Sequence, residues 1–219
     1  MKEMKLAPSV FAANLANLKE QLTVLENNHV ELLHVDVMDG HFVEKMAFGP
    51  DHVKMLKEIT NLPLDVHLMI EKPENKLDAV IEAGADIITV HQESTTRLYS
   101  CIEKIKKHGL KAGVVLSPGT SEAGIEYVLD KIDMVLLMTI NPGEAGQGFH
   151  EDMLNKIERV KKLIGDRPVD IEVDGGIDNT NIGLCKKAGA NVFVSGGYMF
   201  KNDIAANIQT LRNILKEEN

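Results

Sequence analysis

Residues 83–91 read Ala83-Gly84-Ala85-Asp86-Ile87-Ile88-Thr89-Val90-His91. A glycine stops a helix-like stretch, an acidic residue follows, and an unbroken apolar and β-branched run ends on a histidine. Continuous runs of this kind suit strands buried on both faces, whereas a strand with one wet face alternates. Glycine supplies the backbone freedom a helix end needs. The same punctuation returns at Ala188-Gly189-Ala190-Asn191, ahead of Val192-Phe193-Val194-Ser195. The repeating unit is therefore a helix, a glycine stop and a buried strand.

Outward from this stretch the pattern continues in both directions. Strands are expected at Leu6–Val10, Leu32–Met38, Leu64–Met69, Ile87–His91, Lys111–Leu116, Met134–Met138, Asp170–Val173 and Val192–Ser195. Helix-like stretches follow at Leu15–Asn27, His52–Ile59, Glu74–Ala83, Arg97–His108, Ser121–Asp130, Met153–Ile164, Thr180–Ala188 and Ile204–Leu215. Regular βα alternation demands a parallel sheet. Eight units of roughly 27 residues fit a compact (β/α)8 TIM barrel. An open doubly wound sheet shares the alternation but usually carries a G-x-G-x-x-G turn after its first strand. Here the first run ends Pro8-Ser9-Val10-Phe11 with no glycine, which favours the barrel. No linker or low-complexity segment interrupts the chain, so residues 1–219 are read as a single (β/α)8 barrel domain.

Composition narrows the function. There are 33 acidic against 24 basic side chains, a formal charge of −9, which disfavours sequence-independent nucleic-acid binding. Tryptophan is absent and aromatic residues are 4% of the chain, which argues against base-stacking and sugar-stacking platforms. The 44% hydrophobic content supports a full core. Two cysteines, Cys101 and Cys185, cannot make a secreted disulfide framework and are read as reduced thiols. No apolar run approaches about 18 residues, so no membrane partner is expected, and the protein is read as soluble and cytoplasmic.

In a barrel the active site lies at the C-terminal ends of the strands. The second run ends His34-Val35-Asp36-Val37-Met38-Asp39-Gly40. Alternation puts His34, Asp36 and Met38 on one face, with Val35 and Val37 toward the helices. The third run likewise groups Asp65, His67 and Met69, and the seventh ends Glu172-Val173-Asp174-Gly175-Gly176. Polar groups inside a barrel are costly unless paired or bound. Two imidazoles and two carboxylates, His34, Asp36, His67 and Asp174, could converge at the mouth. That donor set suits one divalent transition metal (Zn, Mn, Fe or Co) better than Ca or Mg. Asp65 and His91 read as supporting polar residues, and Asp39 as a turn residue. Glycines cluster after the last three strands, in Asn141-Pro142-Gly143-Glu144-Ala145-Gly146-Gln147-Gly148, Gly175-Gly176 and Gly196-Gly197. Exposed backbone N–H groups there suit an anion such as phosphate.

The segments Ala7-Pro8-Ser9, His34 to Val43, Leu64 to Met69, Met138 to Gly143 and Glu172 to Gly176 resemble the ribulose-phosphate 3-epimerase family, essentially end to end. The resemblance implies a metal-dependent (β/α)8 barrel acting on a small ketose phosphate, most simply ribulose 5-phosphate to xylulose 5-phosphate, through an enediolate. Close relatives act on allulose 6-phosphate, which is the alternative substrate. It implies metal ligation by His34, Asp36, His67 and Asp174, and acid/base roles for Asp36 and Asp174. It implies substrate contacts from Ser9, His67 and Asp174, and phosphate contacts from Gly143, Glu144, Ala145, Gly146, Gly175, Gly176, Gly196 and Gly197. Met38, Met69 and Met138 would form a polarizable wall above the metal. The oligomeric state, homo-oligomer included, is left open.

The chain departs from the family pattern at Ala12, Asn14, Glu44-Lys45, Glu144 and Gly197. A carboxylate about 4 Å from a phosphate would repel it by up to about 4 kcal/mol at an effective dielectric of 20. Glu144 is therefore expected to turn away, toward solvent or a cation such as Lys45. A lyase of the related decarboxylase and hexulose-phosphate synthase barrels would need a lysine in the third run, which reads Asp65-Val66-His67-Leu68-Met69-Ile70. A non-catalytic sugar-phosphate sensor would have no need of two carboxylates.

Overall fold

The computed structural model describes residues 2–144 and 146–217. Among these residues, eight strands form a parallel barrel: β1 (Lys5–Pro8), β2 (Leu33–Asp39), β4 (Leu64–Met69), β5 (Ile87–His91), β6 (Lys111–Leu116), β7 (Met134–Met138), β8 (Asp170–Asp174) and β9 (Val192–Ser195). A two-residue strand, β3 (Met46–Ala47), pairs antiparallel with the end of β2. Neighbours run β1-β9-β8-β7-β6-β5-β4-β2. This is sequence order round a ring, without the reversal that marks an open doubly wound sheet. The ring closes where Ser9 bridges His34 in parallel and the Leu32 N–H donates to the Leu6 carbonyl at 3.3 Å.

Among the described residues, seven α-helices cover the outside: α1 (Leu18–Asn27), α2 (Pro50–Ile59), α3 (Leu77–Glu82), α4 (Leu98–Lys107), α5 (Met153–Ile164), α6 (Ile182–Ala188) and α7 (Ile204–Lys216). Alternation sorts each strand. Val35, Val37, Val66, Leu68, Ile88 and Val90 join helix residues such as Leu22, Leu56, Ile102 and Val160 in the main core. Inside the barrel, Ala7, Leu32, Ile87, Met134, Val192 and Val194 form an apolar floor. The polar side chains stand above it. Gly84 (φ +97°) and Gly189 (φ +127°) end their helices in the left-handed region, as the repeated punctuation predicts.

Local chemistry shifts several boundaries. β1 stops at Pro8 because the Ser9 hydroxyl accepts the Phe11 N–H at 3.3 Å and turns Val10–Ala12 into a 3₁₀ segment. The helix-like stretch at 121–130 is also 3₁₀ (Glu122–Val128), capped by the Ser121 side chain. Lys72 in the left-handed region and Pro73 split the stretch at 74–83 into a 3₁₀ turn (Pro73–Asn75) and the short α3. Cys101 and Cys185 are both free and buried. Among the described residues, no helix is long and apolar enough to cross a membrane.

Candidate active site

Strand register builds the centre of the site. In the β2–β4 ladder His34 sits beside Asp65, Asp36 beside His67 and Met38 beside Met69. On the far side of β1 and β9, β8 brings Asp174 to the same level. His34 Nε2 lies 3.4 Å from Asp36 Oδ1 and 3.8 Å from Asp174 Oδ2. His67 Nδ1 lies 3.3 Å and 3.6 Å from the same two oxygens. His34 and His67 are fully buried, Asp36 is buried, and Asp174 is partly open to solvent. All four ligand atoms lie within 4.8 Å of one another.

Both ring nitrogens that face this centre, His34 Nε2 and His67 Nδ1, are buried without a hydrogen-bond partner. Leaving such atoms bare is costly. A tetrahedral ion about 2.1 Å from each donor needs about 3.4 Å between donors, close to the 3.3–3.8 Å found here. The residues present therefore fit one divalent ion. Electrostatics agree. Burial opposes a proton on His34, but Asp36 and Asp65 outweigh it and raise its pKa well above the ordinary imidazole value. Burial likewise opposes a proton on His67, and the adjacent Asp174 and Asp36 carboxylates raise its pKa. Burial acts to raise the Asp36 carboxyl, yet the adjacent His34 and His67 rings hold it far below the usual carboxylate range. The centre thus attracts positive charge, whether protons or a cation.

The supporting residues are equally ordered. Asp65 Oδ2 is 2.7 Å from His34 Nδ1, and His91 Nε2 is 2.9 Å from His67 Nε2. Both take the supporting place expected for them. Asp39 is a turn residue, accepting the His41 and Phe42 N–H groups on one oxygen and the Glu71 N–H on the other. Glu172 lies in the floor of the centre, 3.7 Å from His34 Nδ1 and with neither carboxylate oxygen hydrogen-bonded. Burial first, then the charge of Asp65, raises its pKa well above normal. Glu172 was not a sequence candidate, although its alternation with Asp174 already placed it on the inner face. Glu93, just past β5, was missed as well.

Above the centre is a cavity of about 410 Å³. Ser9, Asp36, Asp174, the three methionines Met38, Met69 and Met138, and Gly143, Glu144, Gly146, Gly175, Gly176, Gly196 and Gly197 all line it. Ala145 lies outside the described residues. The Ser9 hydroxyl donates to Asp36 Oδ2 at 2.5 Å. His67, expected to touch substrate, is not among the lining residues. It is fully buried behind Asp36 and Asp174, with its nitrogens turned to those carboxylates and to His91. Phe11, Ile140 and Tyr198 line the cavity without having been anticipated. Each neighbours a candidate residue or loop, and nothing in its own type marked it out.

The departures from the family pattern divide. Glu144 is exposed, and it accepts from the Gln147 amide rather than from Lys45, whose ammonium lies over the Phe11 ring at 5.7 Å. Gln147 is three residues away in the same loop and needs no long-range approach. Asn14 caps a 3₁₀ turn, accepting the Ala16 N–H, and does not line the cavity. Ala12 does line it, and its methyl would stand 3.2 Å from any Cβ on Gly196.

A sequence model described as the ribulose-phosphate 3 epimerase family matches residues 5–200. The chain is 47% identical over 198 residues to the chloroplastic ribulose-5-phosphate-3-epimerase of Arabidopsis thaliana, covering 89% of this chain and 70% of that protein. It is 44% identical over 200 residues to the ribulose-phosphate 3-epimerase of Bacillus subtilis (strain 168), covering 90% and 92%. Among solved structures, 3-keto-L-gulonate-6-phosphate decarboxylase from Vibrio cholerae O1 biovar El Tor superposes with a TM-score of 0.75 over 98% of both chains at 18% identity. That likeness is one of fold.

Proposed function

The chain belongs to the ribulose-phosphate 3-epimerase family, and on that premise we propose that its barrel mouth inverts C3 of ribulose 5-phosphate to give xylulose 5-phosphate, with Asp36 and Asp174 as the proton-transfer groups. The observation that carries the reading is the pair of carboxylates. They come from β2 and β8, line one cavity, and reach the same two imidazole nitrogens.

The chemistry follows from the substrate. C3 is α to the C2 carbonyl, so its proton is acidified. One carboxylate takes that proton, and the C–H electron pair moves into a C2–C3 double bond to give an enediolate. The other carboxylate delivers a proton to C3 from the opposite face, and the electron pair returns. No net oxidation occurs, and each turnover exchanges the protonation states of the two carboxyls. The Ser9 hydroxyl orients Asp36 by holding its second oxygen. His34, Asp36, His67 and Asp174 would hold one divalent ion, Zn, Mn, Fe or Co. When bound, such an ion supplies Lewis-acid stabilisation for charge developing on the ketose oxygens. Met38, Met69 and Met138 wall the cavity with apolar, polarizable surface and exclude water. Backbone N–H groups of Gly143, Glu144, Gly146, Gly175, Gly176, Gly196 and Gly197 would receive the phosphate. Two buried, unpaired thiols support a reducing compartment, and we place the enzyme in the cytoplasm.

The test compares kcat/KM for ribulose 5-phosphate and allulose 6-phosphate, before and after a strong chelator. The pentulose should be preferred by at least about tenfold. Activity should fall on chelation and return with Zn, Mn, Fe or Co. Preference for the hexulose would overturn the substrate, and full activity in metal-free protein would overturn the metal.

A further inference from the structure

A metal takes one nitrogen of an imidazole, and the other nitrogen decides whether the right one is free. His67 turns Nδ1 to Asp36 and Asp174 and places Nε2 at 2.9 Å from His91 Nε2. The two rings are inclined by only 24° with centroids 5.0 Å apart, so they meet edge to edge, nitrogen to nitrogen. One must donate and the other accept. Beyond them, His91 Nδ1 lies 3.2 Å from Glu93 Oε2. The other oxygen of Glu93 is taken by the Ser117 N–H at 2.8 Å and by the Thr120 hydroxyl. The Ser117 hydroxyl is 3.5 Å from His91 Nδ1, the limit of a useful bond.

These contacts fix the direction of the chain. A carboxylate only accepts, so a lone pair on His91 Nδ1 would face another lone pair. His91 therefore carries its hydrogen on Nδ1 and accepts at Nε2. His67 must then donate from Nε2, which leaves its Nδ1 lone pair aimed at the centre. We propose that Glu93, acting through His91, is a positioning residue that fixes His67 in the Nε2–H form and so keeps Nδ1 free for the divalent ion, an inference that rests on the metal site proposed above. Glu93 also lines a second cavity of about 550 Å³, on the side of Phe42 and Ser117. The chain thus runs from a partly open carboxylate, through two buried imidazoles, to the centre.

Zinc alone is the probe. Chelator competition on the full chain should show about one ion per chain in the wild type. His91→Phe and Glu93→Leu should each weaken zinc binding by about 10- to 100-fold, the usual scale for losing an outer-shell partner. Glu93→Gln retains an accepting oxygen and should stay within about threefold. Histidine ring ¹⁵N spectra of the zinc-loaded wild type should show His67 as the Nε2–H tautomer and His91 as Nδ1–H. That measurement needs no variant and holds even if His91→Phe does not fold. Wild-type affinity in folded Glu93→Leu would overturn the positioning role while leaving the metal site standing, and His67 found as the Nδ1–H tautomer would also remove His67 from the ligand set. Absence of zinc binding in the wild type would overturn both.

Discussion

The two ends of the cavity are built from different material. At the centre, every working atom belongs to a side chain with a named neighbour. His34 is held by Asp65, His67 by His91, and Asp36 by Ser9. At the other end the lining is mostly backbone, in the glycines after β7, β8 and β9. Side chains are fixed by what they touch, whereas glycines such as Gly143 and Gly175 are fixed by what cannot fit beside them. Of the positions read as departures from the family pattern, the three that line the cavity, Ala12, Glu144 and Gly197, all lie at this second end. Exchanging a side chain at the centre changes the donor set itself, while a loop that presents N–H groups can change its side chains and still present them.

The largest effect should come from the centre. Asp36→Asn and Asp174→Asn should each lower kcat by at least about 10²-fold, the scale for losing a positioned acid or base. Metal content must be measured in both variants, because the same carboxylates face the metal-type donor set. Asp174→Asn with full metal and near wild-type turnover would break the contrast, since it would show that a centre residue can be exchanged freely.

At the backbone end, Gly175→Ala should come next. Gly175 has φ +123°, and an added Cβ would lie 2.5 Å from Ile140 Cγ1 and 2.9 Å from the Ile140 nitrogen. The backbone there cannot yield easily. Thr139, the residue before Ile140, donates its N–H to the Asp174 carbonyl at 2.7 Å and its hydroxyl to the Gly175 carbonyl at 2.5 Å. Overpacking and a left-handed alanine together should cost about 3 kcal/mol of stability, with KM raised more than kcat is lowered. Urea unfolding and steady-state kinetics check both. An unchanged midpoint would show that sterics do not fix the loop.

Much of this was legible in the sequence, for a physical reason. Five strands, Leu64–Met69, Ile87–His91, Lys111–Leu116, Met134–Met138 and Val192–Ser195, are read to the residue because short β-type runs, mostly apolar or alternating as in Leu64–Met69, recur at the spacing of the βα unit. Period-two alternation then named His34, Asp36, His67 and Asp174 together. What escaped depends on contacts between distant segments. Met46–Ala47 becomes a strand only by folding back on Met38 and Asp39. Glu93 reads as a solvated acid beside a strand end, and its role follows only once β6 brings Ser117 and Thr120 to it. Glu144 finds Gln147 instead of Lys45, a local choice that charge counting could not make.

Glu93 also sharpens the contrast through pH. Burial acts to raise its pKa, but bonds from His91, Thr120 and the Ser117 N–H lower it from 4.5 to about 2. A carboxylate depressed on folding contributes stability that is complete above the unfolded value of 4.5 and is lost as pH falls toward 2. With 26% of the side chain open to water, about 1 kcal/mol should disappear between pH 5 and pH 3 after allowance for solvent screening. Glu93→Gln has no proton to take up and should lose correspondingly less over the same range. Parallel slopes for the two proteins in urea unfolding would detach Glu93 from the ordered end.

The smallest effect belongs to Gly197. It lines the cavity, its backbone is not among the left-handed glycines, and nothing lies within 4 Å of an added Cβ. A side chain can therefore be added there without strain, which is not so at Gly175. Gly197→Ser adds one hydroxyl donor at the rim of the proposed phosphate cradle. A net hydrogen bond of about 1 kcal/mol should lower KM, and the inhibition constant of inorganic phosphate, by about fivefold with kcat unchanged. Gly197→Ala supplies the same Cβ without the hydroxyl and should leave both constants within about twofold. The difference between the two variants isolates the donor from the added volume. If serine binds phosphate no better than alanine, the loop after β9 is not where the phosphate sits, and the glycines at 143 and 146 become the place to look. If serine does bind it better, the departure at Gly197 is a loss of affinity that the backbone N–H groups alone have been sufficient to bear.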